Sequence, residues 1–410
     1  MTKENSAEKT ESRTNSTISW IVFLFSISIV LISFVTVIFP ALILVSDTVV
    51  IPGIESVTPE PYETGVWSGG AIISSVIILG LAYLHFKNKL PNSISSVFRK
   101  IFSFEVSRKV SLITIIILLI IYVSVSIPEL STEETWKDYK DVKDRLDGWS
   151  VDQITSSFEP HVKYFLTYSS MVIFGSYKVI PFLASIALLI TTYFITKTIA
   201  QKRFAGIISV VILMQSSLFL TYDTSVSYTN FWILFYLISL YMVYRFWPLS
   251  PVSFLLSIPS KALTAAFLPM SIYFILRSSI SKRQKVITAG ATAVIILVGG
   301  VAVTGENSGE ATQEEFDEKE FQMGFTSFAT QLRFDGLVML FMIPLIVGLF
   351  IVSKNGVKHG ESIMVLIAGM LLIAPILTGF TNQTNQPYRF VPLIVFFAVG
   401  VGILLSKRQV

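Results

Sequence analysis

Two adjacent carboxylates, Glu133 and Glu134, lie in an acid-rich stretch that also carries Asp138. Positioned carboxylates of this kind can take a proton from an incoming hydroxyl or amide. The imidazole of His161 suits a proton relay. Lys163 follows it closely, Lys261 stands in the corner Pro259-Ser260-Lys261, and Arg389 follows Tyr388 in Gln386-Pro387-Tyr388-Arg389. These cations can hold an anion, and the five guanidinium donors of arginine match a phosphate best. Tyr222 and Asp223 end one apolar run, and Asp47 lies just past the first. Segment 129–163 has nine acidic residues against five basic, so many of its acids must be plain solvated surface.

Several chemistries are excluded. The chain has no cysteine, which removes disulfides, thiolate catalysis and thiolate-bound metals. Its three histidines, His85, His161 and His359, are far apart in sequence, which argues against a histidine metal cluster. A net charge of +4 would point to nucleic acid only if the bases formed a solvent-facing stripe, and they do not.

The elements that must position these residues are lipid-embedded. Of 410 residues 52% are hydrophobic and 14% charged, and apolar runs recur from Ile18 to Leu405. Several approach the ~20 residues that cross ~30 Å of hydrocarbon. The runs 18–44, 67–86, 110–127, 177–197, 204–221, 229–246, 250–260 with 262–278, 286–303, 336–353, 361–379 and 389–406 predict an all-α polytopic membrane protein of about 11–13 crossings. Segment 87–109 carries six bases, Lys87, Lys89, Arg99, Lys100, Arg108 and Lys109, against Glu105 alone. Basic connections belong on the cytoplasmic side, and twelve passages put every one of them there, with both termini. The acidic segments 45–66, 129–163 and 304–335 then share the outer face. They are too short for independent domains and should fold onto the bundle as amphipathic helices and loops. In 129–163, Ser131 or Thr132 is the expected cap of a helix whose apolar face is Trp136, Tyr139, Val142 and Leu146 and whose stop is Gly148. It should lie along the membrane surface.

This loop resembles the first large outer loop of the lipid-linked-sugar glycosyltransferases of GT-C architecture, in the branch of protein mannosyltransferases and aminoarabinose transferases. Glu133-Glu134 matches the family's acidic pair, Tyr139 and Gly148 the landmarks after it, and Glu159-Pro160-His161 the elbow before an apolar run ending in Phe174-Gly175. Arg203-Phe204, the turn Thr221-Tyr222-Asp223 with Ser227-Tyr228-Thr229-Asn230, and Gln386-Pro387-Tyr388-Arg389-Phe390-Val391-Pro392 extend the similarity over about 129–406.

The resemblance implies a GT-C-like bundle with outer-face loop helices. Residues 1–17 would be a cytoplasmic tail, 18–127 three crossings, 128–406 the GT-C-like region and 407–410 a second cytoplasmic tail. It implies transfer of a sugar from a polyprenyl-phosphate donor to a protein, glycan or lipid acceptor outside the cytoplasm. Glu133 or Glu134 would activate the acceptor, with Asp138 and Asp47 as other acids, and His161 would relay a proton. Arg389, Lys261 and Lys163 would hold the phosphate, and Tyr388, Tyr222 and Asp223 would line the site. The partners are membrane lipids, donor and acceptor, with no nucleic acid. The cofactor is open, a divalent metal included. A multipass transporter and a non-catalytic assembly subunit are the rival classes.

Overall fold

In lipid, every backbone N–H and C=O must find a partner within the protein, which a helix supplies along its own length. The computed structural model describes residues 2–42, 60–87, 89–148, 150, 152–153, 161–306, 315–381 and 386–407, and every regular element among them is helical. Six of these helices are long and apolar enough to cross a membrane: Thr17–Ile38, Arg108–Ser131, Val179–Ala200, Gly336–Lys354, His359–Phe380 and Pro387–Leu404. Four further apolar helices are shorter. The chain is an all-α polytopic membrane protein.

It divides into two compact units, 1–104 with 313–410, and 105–312. The first unit begins with α1 (Thr2–Ile38), α2 (Ser68–Phe86) and α3 (Asn92–Ser103). The second holds α4 (Arg108–Ser126), α5 (Lys137–Gly148), α6 (His161–Phe174), α7 (Val179–Ala200), α8 (Arg203–Met214), α9 (Ser217–Tyr222), α10 (Phe231–Arg245), α11 (Leu249–Ser257), α12 (Leu268–Arg277) and α13 (Lys282–Glu306). The first unit then continues through α14 (Glu318–Gly324), α15 (Thr326–Gln331), α16 (Gly336–Lys354), α17 (His359–Thr381) and α18 (Val391–Leu404).

In the first unit, α1 turns Ser19, Val22, Ser26, Val30, Ser33 and Val37 inward, all buried. These small and β-branched side chains admit close neighbours. Phe23 stacks on Phe350 of α16 with ring centroids 4.3 Å apart. Ser19 of α1 and Ser353 of α16 both donate to the buried Glu361 of α17, the latter at 2.8 Å. At Gly360 a Cβ would fall 2.6 Å from the Leu349 carbonyl oxygen, so only glycine lets α17 start that close to α16.

In the second unit, Gly206 lets α8 lie against α7, where a Cβ would meet the Tyr193 carbonyl oxygen at 2.8 Å. Gln201, with φ of 53°, takes the left-handed conformation that ends α7 and turns the chain into α8. The turn 223–230 joins α9 to α10.

Three sequence expectations need correction. The first crossing ends at Ile38 rather than 44, because Pro40 has no N–H to continue the ladder. The run 204–221 is two helices, since Ser216 accepts the Phe219 N–H at 3.1 Å and caps α9 afresh. Finally, α5 starts at Lys137, with a 3₁₀ turn at Ile127–Ser131 before it. Ser131 and Thr132 donate to the carbonyls of Pro128 and Glu129 instead of capping α5. Trp136 therefore precedes the helix whose face it was expected to share.

Candidate functional site

The turn 223–230 is fixed first, from below. One carboxylate oxygen of Asp223, Oδ2, accepts from Ser126 Oγ of α4 at 2.6 Å, and its carbonyl accepts from Ser185 Oγ of α7 at 2.7 Å. Asn230 Nδ2 donates to Ser185 Oγ at 3.1 Å and to the Tyr222 carbonyl at 3.4 Å. Only 1% of Asp223 is exposed, and the buried Tyr122 hydroxyl lies beside its carboxylate. Burial pushes this carboxyl up to about 6, because a charge costs more away from water.

The acid-rich loop before α5 then packs onto the turn. Glu134 accepts from the backbone N–H groups of Val226 and Ser227, the latter at 3.3 Å, and from Ser225 Oγ at 3.1 Å. Glu129 accepts from Thr224 Oγ1 at 3.2 Å, and the Tyr228 hydroxyl donates to Asp138 Oδ2 at 2.7 Å. Trp136 stacks on Tyr222 at 5.4 Å and meets Tyr228 edge-on at 5.9 Å. The buried Lys178 donates to the carbonyls of Glu129, at 2.9 Å, and Thr132, at 2.6 Å. The apolar side of α5, Tyr139, Val142 and Leu146, packs on Tyr164 and Tyr168 of α6, Tyr177 and Val226. That face rests on protein, not on the lipid expected from its periodicity.

Two cations meet at one edge of this assembly. Val162 N–H at the start of α6 donates to the Pro259 carbonyl at 3.1 Å, which ties α6 to the corner carrying Lys261. Lys261 Nζ lies 5.9 Å from the centre of the Trp232 ring. Part of the Lys163 stem reaches the surface, but its ammonium is enclosed and donates to the Ser227 carbonyl at 2.5 Å. Burial, and next the charge of Lys261, hold Lys163 down at about 7, opposed by Glu134 and Asp138.

The fold thus brings Glu134, Asp138, Lys163, Lys261, Tyr222 and Asp223 into one region of the second unit. Glu133 is separate: its side chain is 78% exposed and pairs with Lys143 at 3.1 Å. His161 begins α6, partly exposed. Arg389 and Tyr388 belong to the first unit, in the 3₁₀ turn Pro387–Phe390, where the guanidinium lies 6.0 Å from the Tyr388 ring centre. Asp47 falls outside the described residues. Sequence reasoning missed Glu129, Lys178, Ser225 and Tyr228. Tyr228 stood in a turn already singled out, whereas nothing local marks the others.

The chemistry of the carboxylates differs with their partners. Glu134 spends both oxygens on three donors, so it anchors the loop. Asp138 is exposed, and its Oδ2 accepts a hydrogen bond from the Tyr228 hydroxyl. Among the described residues no three acidic or histidine side chains converge to hold a metal ion. No family model, curated protein or solved structure matches this chain.

Proposed function

We propose that this protein is a membrane glycosyltransferase of the cell envelope, moving a sugar from a polyprenyl-phosphate donor to an acceptor on the non-cytoplasmic face. The supporting observation is the pairing of Lys163 and Lys261 beside an acid-lined loop. Two ammonium groups close enough to repel are eased by a bound dianion. In the transfer, the acceptor oxygen or nitrogen attacks the anomeric carbon. The bond from that carbon to the phosphate oxygen breaks, and its electron pair leaves with the lipid phosphate. Lys163 and Lys261 meet the charge that develops there. Asp138 takes the acceptor proton, and Glu134 positions the loop. GT-C-like architecture, cytoplasmic termini and outer placement of loops 129–163 and 304–335 are parts of the same proposal.

The test is transfer by purified full-length protein from a panel of labelled polyprenyl-phosphate sugars into a membrane acceptor extract. D138N is expected to lower turnover by roughly 10²–10⁴-fold while donor binding holds. Donor that binds but never transfers, or an unimpaired D138N protein, contradicts the reading.

One observation favours a transporter instead. Glu361 is a buried carboxylate within a membrane-crossing helix, where ionisable groups often mark a pathway. Proton-driven solute flux in proteoliposomes that E361Q abolishes would support that class.

A further inference from the structure

The segment joining α2 to α4 has its own chemistry. Over Asn92–Ser103, Ile94, Val97, Phe98, Ile101 and Phe102 recur at spacings of three and four, which places them along one side of α3. Asn92, four serines (Ser93, Ser95, Ser96 and Ser103), Arg99 and Lys100 take the rest of the surface. A soluble protein would bury such a stripe, yet no residue of α3 is buried. Val97 is 55% exposed and Phe104, just past the helix, 51%. Within the helix the Phe98 and Phe102 rings meet at 6.3 Å.

Charge and connection identify what covers the stripe. Segment 87–109 has six basic residues to one acidic. It is held between two strongly apolar helices, α2 before it and the crossing helix α4 after it. At twelve residues α3 is too short to cross, and its position in the chain confines it to a membrane boundary. We propose that α3 lies in the plane of the membrane, with its apolar side among the acyl chains and Arg99 and Lys100 on the headgroups of anionic phospholipid. An apolar face with flanking bases is the composition that binds such a surface, through buried hydrocarbon and attraction to negative headgroups together. This inference is independent of the glycosyltransferase reading.

The experiment uses the full chain in lipid nanodiscs, and its lack of cysteine makes single labels clean. Nitroxides at V97C and I101C are expected to collide with oxygen more than with a water-soluble nickel complex. S93C and S96C should show the reverse. A dye at V97C should be quenched more by spin-labelled phosphatidylglycerol than by spin-labelled phosphatidylcholine. Replacing Arg99 and Lys100 by glutamine should lower that preference by roughly fivefold per charge, the equivalent of about 1 kcal/mol each. K100Q alone should give half of the logarithmic effect. Labels at 97 and 101 shielded from both reagents would mean that protein covers the stripe. Equal collision profiles on the two sides, or quenching indifferent to headgroup charge, would also overturn the proposal.

Discussion

Helices α3 and α5 are both twelve residues long and amphipathic, and their surroundings are opposite. The acidic-loop helix α5 buries Val142 and Leu146 against α6 and Val226. The basic-loop helix α3 buries nothing. Periodicity gives both helices a face, but the cover comes from what flanks them. A hydrogen-bonded turn and Lys178 draw the loop before α5 onto the protein. The segment carrying α3 is held past the helix, where Glu105 accepts from the Arg203 backbone N–H at 3.1 Å, and α3 itself buries no residue. The same pattern thus yields a packed site wall in one place and an open apolar side in the other.

The comparison breaks most directly at its apolar residues. Leu146→Ala is expected to cost about 2–4 kcal/mol by leaving a cavity under α5. Ile101→Ala in α3, where the residue is exposed, should stay within about 0.5 kcal/mol in detergent. Denaturant titration read by hydrogen exchange in each helix checks both, and equal costs would erase the contrast.

Glu134→Gln removes the charge that holds the loop to its turn. The expected loss is about 1–3 kcal/mol, seen as faster exchange of the Val226 and Ser227 amides. Unchanged protection there would mean that the aromatic contacts of Trp136 hold the loop alone.

Lys163 should oppose stability while serving binding. Its folded value, about 7, lies below the ordinary lysine value of 10.5. Between those values the unfolded chain binds the extra proton, so stability rises with pH across that window. Lys163→Met should therefore stabilise the ligand-free protein at neutral pH and flatten that rise. Phosphate affinity should fall as pH climbs through about 7, as Lys163 loses its charge beside Lys261, Arg145, Glu134 and Asp138. A stability profile insensitive to K163M would contradict the enclosed ammonium. The smallest effect belongs to E133Q, expected within about 0.5 kcal/mol because its ion pair with Lys143 is exposed.

Local signals were readable in the sequence and distant ones were not. Tyr139, Val142 and Leu146 announced the face of α5 because helical spacing is written over a few residues. The start of α5 was misplaced because Ser131 and Thr132 had a competing use, the carbonyls of their own 3₁₀ turn. The Glu133-Glu134 pair was visible as a pair, but not the division of labour within it. Glu134 finds Ser225 91 residues away in the chain, while Glu133 finds Lys143 on the next helix. Lys163 and Lys261 were each singled out as candidate cations, but their approach depends on the Val162–Pro259 hydrogen bond, which no local pattern encodes.

The central claim, that Lys163 and Lys261 together receive a lipid-linked phosphate, is tested most directly by binding. A short-chain polyprenyl phosphate is titrated into the full-length protein, with the same alcohol lacking phosphate as control. The wild-type protein is expected to prefer the phosphate, and each of K163Q and K261Q to weaken it by about 1.5–3 kcal/mol, roughly 10–150-fold. Phosphate and alcohol binding alike, or a K163Q/K261Q protein that binds as the wild type does, would contradict the account.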